Sequence, residues 1–365
     1  MDTGKDEMSE LLPNGAHHPK RVLLVRLGSM GDIVHALPTL VTLKENFPGW
    51  ELDWLVERRW RDLLQGNPCL TRIIEFDTLK WRNFPLSAAS WGEFKAAVGE
   101  LRERRYDGAL DLQGAIKSAI ACRLSGAMQV IGLERPWLRE PIASVFYSRR
   151  VSTSAAHIVE ANLALAAALG AARPVVQFPL PPGDASALPS ELLHGAFAVI
   201  NPGAGWAAKR WSASGYAAVC DDLEERYGLP VVINCGPGEA GLSEAVRSAC
   251  RRAQPGTYCG SLAGLISLLR RAHLMIGPDT GPLHLAAALG VPTVALFGPT
   301  DPKRNGPYGN VHLNLRHEDA VTSHSRSGRP NGSIDRIRPG QVIEAVGALL
   351  QERSQMPAKT GCAAL

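Results

Sequence analysis

No stretch of this chain reaches the ~20 uninterrupted apolar residues that a membrane-spanning helix needs. Its most apolar run, Leu283 to Phe297, is interrupted by His284, Gly290 and Pro292 and reads as a buried helix followed by a buried strand. An export signal is also missing. Met1 to Pro19 mixes Asp2, Lys5, Asp6, Glu7 and Glu10 with no apolar core, so residues 1–20 are expected to be a solvated, disordered tail. Cysteine is scarce: the seven at positions 69, 122, 220, 235, 250, 259 and 362 are odd in number and never form a CxxC pair. That excludes a zinc-ligand spacing, and without an export signal it predicts reduced thiols in a cytoplasmic protein. An excess of one charge is lacking too. The 39 Lys and Arg face 35 Asp and Glu, and neither half of the chain is lopsided in the way of a general nucleic-acid binder. The local clusters Arg58, Arg59 and Arg61, Arg102, Arg104 and Arg105, and Arg149 and Arg150 are either solvated faces or contacts for an anionic acceptor or membrane surface.

What the chain does have is alternation. Apolar, β-branched runs at 21–27, 52–56, 73–76, 109–112 and 130–132 alternate with helical stretches such as 32–46, 92–105 and 158–169. Continuously apolar strands are buried on both faces, which points to parallel sheets covered by helices. Residues 178–189, FPLPPGDASALP, carry four prolines and no period, and read as a linker. A second series follows, with strands at 197–201, 231–235, 273–277 and 293–297 and helices at 212–227, 240–253, 262–272 and 282–289. A last amphipathic helix is expected over 339–352, after a mobile polar loop at 322–335. The implied layout is two doubly wound domains across a cleft: 21–180, then 190–335, a C-terminal helix 336–353 and a disordered tail 354–365.

The chemistry lies in the connections. Gly28-Ser-Met-Gly31-Asp32 joins the first strand to its helix at the carboxyl end of the sheet, where open α/β folds bind ligands. Asp32 is either a functional carboxylate or a helix cap. The loop lacks GxGxxG spacing, no acidic residue is expected at the end of the second strand, and there is no GxxxxGK[ST] loop, so dinucleotide-dependent oxidoreductases and P-loop enzymes are disfavoured. In the second series, Asn201-Pro-Gly-Ala-Gly205-Trp206 is followed by Lys209 and Arg210, cations placed to neutralise a diphosphate. Cys235-Gly-Pro-Gly-Glu239 puts a carboxylate at the cleft mouth, suited to sugar hydroxyls. Gly277-Pro-Asp279-Thr280-Gly281-Pro-Leu-His284 turns a strand sharply into a helix, whose first amides at Thr280 and Gly281 can bind phosphate oxygens. Asp279 and His284 could equally be a cap and an ordinary buried histidine. With Phe297-Gly-Pro-Thr-Asp-Pro302, three glycine loops on one sheet edge imply a nucleotide diphosphate.

Together with SMGD, His35 and Leu37-Pro38, the segments DLQGAIKSA (111–119), REPIASVFYSRR (139–150), GWAAKRW (205–211), PDTGPLHLAAAL (278–289) and FGPTDP (297–302) resemble glycosyltransferase family 9, the lipopolysaccharide heptosyltransferases. The resemblance runs from Arg21 to Gln351. Two of these segments, DLQGAIKSA and REPIASVFYSRR, are most similar to the heptosyltransferase I branch, whereas NPGAGWAAKRW is closer to the pattern shared with heptosyltransferase II. The resemblance implies a GT-B fold of two Rossmann-like domains, an ADP-heptose donor, a lipid-linked Kdo acceptor at the inner membrane surface, inversion at the anomeric carbon, and no metal or other cofactor. It also implies a cytoplasmic enzyme peripherally associated with that membrane.

On this reading Asp32 is the general base and Lys209 offsets charge on the departing diphosphate. Gly205, Arg210, Glu239, Asp279, Thr280, Gly281 and His284 bind the donor, and Gly31, Lys117 and Arg139 the acceptor. A sugar-nucleotide epimerase or phosphorylase-like enzyme, and a non-catalytic sugar-nucleotide binder, are the rival readings. The joint presence of Asp32, Lys209 and Asp279 favours transfer.

Overall fold

The computed structural model describes residues 20–78, 80, 87–193, 195–309, 311–323 and 333–355. The expected terminal tails, apart from Lys20, Ser354 and Gln355, and residues 324–332 of the expected mobile loop lie outside the described residues. The first half runs β1 (Arg21–Val25), α1 (Met30–Asn46), β2 (Glu51–Glu57), β3 (Arg72–Phe76), α2 (Ala88–Glu103), β4 (Gly108–Asp111), α3 (Ile116–Leu124), β5 (Gln129–Leu133), β6 (Arg149–Val151) and α4 (Ile158–Ala168). The second runs β7 (Ala198–Ile200), α5 (Ala213–Tyr227), β8 (Val231–Asn234), α6 (Ala240–Ala249), β9 (Gly256–Tyr258), α7 (Leu262–Arg271), β10 (Leu274–Pro278), α8 (Gly281–Ala288), β11 (Thr293–Phe297), α9 (Pro302–Asn305), β12 (His312–Arg316) and α10 (Pro339–Gln355).

Each half forms a six-stranded sheet, in the orders β3-β2-β1-β4-β5-β6 and β12-β11-β10-β7-β8-β9. Every pairing is parallel. In both sheets the strand order reverses at the middle, so both are doubly wound. Val22 to Val25 are buried throughout because helices cover both faces of β1.

Three strands escape the sequence pattern. β6, β9 and β12 are short or half exposed, so no continuous apolar run marks them. The second strand also differs from expectation: it ends on an acidic residue after all, Glu57, whose carboxylate accepts a hydrogen bond from the Thr78 hydroxyl. The strand reaches that far because it stays paired with the segment after β1. There the Arg26 amide donates to the Leu55 carbonyl and the Glu57 amide to the Leu27 carbonyl.

The proline-rich connection is held against the second half. Arg270 donates to the carbonyls of Leu180 and Pro181, and the Asp184 amide donates to the Ala263 carbonyl. One apolar cluster runs from Leu23, Trp54 and Ile131 through α1 to Leu283, Ile266 and Phe297. A second cluster covers the other face of the second sheet, where Val342, Val346 and Leu349 of α10 join Tyr216 and Leu223.

Candidate functional site

In doubly wound sheets the ligand crevice lies beyond the carboxyl ends of the strands where the order reverses. Here those strands are β1 with β4, and β7 with β10. The loops that follow them are Gly28 to Asp32, Leu112 to Ala115, Asn201 to Arg210 and Asp279 to Thr280. The glycine motifs after β1, β7 and β10 therefore converge for a topological reason.

Asp32 is not the helix cap; Ser29 holds that position and Asp32 is the third residue of α1. The Asp32 carboxylate accepts hydrogen bonds from the Ser29 amide at 2.9 Å and the Ser29 hydroxyl at 2.7 Å, and pairs with the Arg26 guanidinium at 2.6 Å. Burial pushes its pKa up, but Arg26, the two Ser29 bonds and the nearby His284 outweigh it and hold the carboxyl below the ordinary range. Arg26 is itself buried and donates to the Leu112 carbonyl, while the Gln113 side chain accepts from the Leu27 amide at 2.9 Å. The loops after β1 and β4 are thus fastened together. The sequence reading missed Arg26 and Gln113. The signal for Arg26 was there: a guanidinium inside the otherwise apolar run VLLVRL.

In the second half, Asp279 is the centre of a buried charge cluster. Its carboxylate pairs with Lys209 Nζ at 2.6 Å and with His284 Nε2 at 2.9 Å, and Lys209 also lies 5.0 Å from the centre of the Trp206 ring. Burial pushes the Asp279 pKa up, yet His284 and Lys209 hold it well below the carboxylate range. Asp279 does not cap α8; Thr280 does, without a side-chain cap bond. The first amides of that helix have no acceptors within it. Glu239 accepts from the Gly236 amide at 3.0 Å and lies against Gly203, which ties the β8 loop to the β7 loop. Gly205 is exposed, and Arg210, also exposed, donates to the Ala204 carbonyl at 3.3 Å.

The two halves meet where α1 and α8 begin. A Cβ on Gly31 would lie 2.5 Å from His284 Cδ2, and one on Gly281 would lie 2.6 Å from Met30 Cβ, so both helices need glycine at the crossing. His35 continues the contact, its ring 4.4 Å from that of His284 and 5.3 Å from that of His157. Burial, with the neighbouring His284 and His157, holds the His35 pKa well below 6.5, so its ring is neutral at neutral pH. The structure therefore brings Gly31, Asp32, Lys209, Asp279, Thr280, Gly281 and His284 into one region, with Glu239, Gly205 and Arg210 on the adjoining loops.

Lys117 and Arg139 form a separate group. Burial lowers the Lys117 pKa, and the charges of Arg139 and Arg59 lower it further, against Glu57 and Glu140. Arg59, unforeseen individually, stacks 5.0 Å from the Trp60 ring, and Trp60 abuts Gly28. The cation group thus borders the Asp32 loop. A further correction concerns sulfur: Cys235 and Cys259 are joined as a disulfide, because adjacent strands β8 and β9 bring their Cα atoms to 5.0 Å. Among the described residues Cys69, Cys122, Cys220 and Cys250 remain thiols.

Comparison with known proteins adds to this geometry. The family model of glycosyltransferase family 9 (heptosyltransferase) matches residues 95–331. Lipopolysaccharide heptosyltransferase 1 of Pseudomonas aeruginosa is 34% identical over 309 residues, covering 81% of this chain and 83% of that protein. The solved structure of E. coli heptosyltransferase WaaC with ADP superimposes with a TM-score of 0.74 at 27% identity, covering 90% of this chain and 99% of that one. The same enzyme with ADP-2-deoxy-2-fluoro heptose gives 0.71 at 27% identity, over 91% and 99%.

Proposed function

The chain belongs to glycosyltransferase family 9, and from that premise we propose that it is an inverting heptosyltransferase, moving heptose from ADP-heptose to the Kdo-containing inner core of lipopolysaccharide. The observation that carries the reading is the meeting of Asp32 with the Lys209–Asp279–His284 cluster at the paired reversals of two doubly wound sheets, the GT-B arrangement.

In the proposed reaction the acceptor hydroxyl oxygen attacks the anomeric carbon from the face opposite ADP. Asp32 takes the hydroxyl proton as the new glycosidic bond forms. The bond to the diphosphate oxygen breaks, and ADP leaves with the electron pair. Held ionised by Arg26, Asp32 is ready to accept that proton at neutral pH. Lys209 and the amides of Thr280 and Gly281 offset the charge that builds on the diphosphate. Asp279 holds the Lys209 ammonium in place through its 2.6 Å ion pair, and His284 Nε2 fixes the other carboxylate oxygen at 2.9 Å. Glu239, Gly205 and Arg210 contact the donor. Gly31 meets the acceptor through its backbone beside Asp32, and Lys117 and Arg139 meet its carboxylate or phosphate groups. The acceptor is lipid-linked and the enzyme works at the surface of the inner membrane.

The test is ADP release from ADP-heptose with and without a Kdo-bearing acceptor, run in excess EDTA. Release that depends on acceptor and survives EDTA is expected, since cations and helix amides supply the charge stabilisation. Donor isomerisation without acceptor, or binding without release, would overturn the reading, and strict dependence on magnesium or manganese would overturn the site model.

A further inference from the structure

The first half of the molecule exposes large apolar side chains on two touching elements. Helix α3 turns Ile116 and Ile120 outward one helical turn apart, and the 3-10 turn Pro141–Phe146 leaves Ile142 59% and Val145 56% exposed. The helix and the turn pack on each other and are stapled at their starts. There the Glu140 amide donates to the Gly114 carbonyl at 3.0 Å, and the Ile116 amide donates to the Glu140 carboxylate at 2.7 Å. Single exposed apolar residues are ordinary on protein surfaces; four on two adjoining elements mark an interaction surface.

The charge around them is one-sided. Residues 116–150 carry Lys117, Arg123, Arg135, Arg139, Arg149 and Arg150 against only Glu134 and Glu140, an excess as large as the +4 of the whole chain. Two of these cations are fixed beside the turn. Arg135 Nε donates to the Ser144 hydroxyl at 3.5 Å and Arg150 Nε to the Ser144 carbonyl at 3.2 Å, and Ser144 lies next to Val145. Guanidinium groups therefore flank the exposed apolar residues. A second copy of the chain on this face would bring arginines against arginines, since a two-fold contact pairs a patch with itself. A bilayer with anionic headgroups is complementary on both counts: apolar side chains enter the headgroup boundary while arginines meet lipid phosphates. Among the described residues no helix is long and apolar enough to cross a membrane, so contact with a lipid-linked substrate calls for such a surface.

We propose that Ile116, Ile120, Ile142 and Val145, with Arg135 and Arg150, dock this protein on an anionic lipid bilayer. The proposal rests on the reading of Lys117 and Arg139 as acceptor contacts: each adjoins one of the two apolar elements, so docking brings the acceptor side of the cleft to the lipid boundary.

The full chain is tested by flotation with vesicles of phosphatidylethanolamine and phosphatidylglycerol, and with vesicles of phosphatidylcholine alone. Binding to the anionic vesicles, weakened by salt, is expected. Ile142→Ser combined with Val145→Ser should weaken it about tenfold or more, from the apolar area withdrawn, and Arg150→Gln about fivefold, the worth of one cation near the surface. Circular dichroism should show both variants folded, because all three side chains are exposed. Turnover on a water-soluble, delipidated acceptor should persist in both variants while turnover on vesicle-embedded acceptor falls. Equal binding of wild type and variants to both vesicles, or a dimer in light scattering that the serine variant abolishes, would overturn the docking surface. Absence of turnover on the soluble acceptor would instead strike the transferase reading, leaving flotation to decide the docking.

Discussion

Asp32 and Lys209 face opposite electrostatic situations, and their variants should fail in different ways. Asp32→Asn keeps the shape but cannot take a proton, so kcat should fall by roughly 10² to 10⁴, the usual worth of a positioned base. Retention of more than about a tenth of kcat would remove Asp32 from that role. The pH profile adds a sharper test through Arg26. A base with a lowered pKa stays ionised as pH falls, so the acid limb of kcat/KM should lie below about pH 4, the ordinary carboxylate value. In Arg26→Met burial is no longer opposed by the ion pair, so the limb should move upward; an unmoved limb would show that another group sets it. Lys209→Ala should instead cost about 2 to 4 kcal/mol of transition-state stabilisation, comparable to losing one oxyanion donor. It should also lower stability, because Asp279, 8% exposed, loses its lysine partner and keeps the His284 ring nitrogen. Lys209→Arg should recover part, since the wider guanidinium does not occupy the same point. Lys303→Ala, an exposed side chain on α9, is the control. Should both alanine variants match wild type in steady-state kinetics, the diphosphate site is wrong. Asp279 makes one further demand on stability. Its folded-state pKa is lowered, so the stability it contributes is present above about pH 4 and is lost as pH falls further. Asp279→Asn should flatten that acid limb in denaturant titrations.

At the scale of elements, the site depends on two helix starts touching. Gly281→Ala places a methyl 2.6 Å from Met30 Cβ, an atom held close to the backbone that cannot swing aside. The helices must separate, at a cost of about 1 to 3 kcal/mol. Thermal stability and kcat should both drop. Gly281→Ala with Met30→Gly, which moves the bulk to the other helix, should restore most of kcat; no recovery would place the loss outside this crossing. The glycines themselves were legible in the sequence as ligand loops, and the facing helix was not. What could be read was each strand-glycine-helix unit, because a local pattern encodes a local turn. β6, β9 and β12 could not be read, since short edge strands with exposed residues carry no apolar run.

For the whole molecule, the apolar cluster that crosses from the first sheet through α1 and α8 to the second has a thermodynamic consequence. Two halves sharing a core should unfold together, so calorimetry should record one main transition. Two well-separated transitions would mean that the α1–α8 contact stabilises little. The sequence by itself determined the parallel-sheet class, the two-part organisation, the loops that carry the chemistry and the family, because all of these rest on periodicity and motifs contained in short windows. It also held Asp32, Lys209, Asp279 and His284 as separate candidates. Only the tertiary structure decided that Lys209 pairs with Asp279, that Arg26 tunes Asp32, that Gly31 faces His284, and that Cys235 reaches Cys259. Arg26 and Asp32 are close in the chain, whereas Gly31 and His284 belong to its two different halves. What joins the distant partners is the reversal of strand order in each sheet and the packing of one sheet's helices on the other's, properties of how strands assemble that no single window of sequence contains.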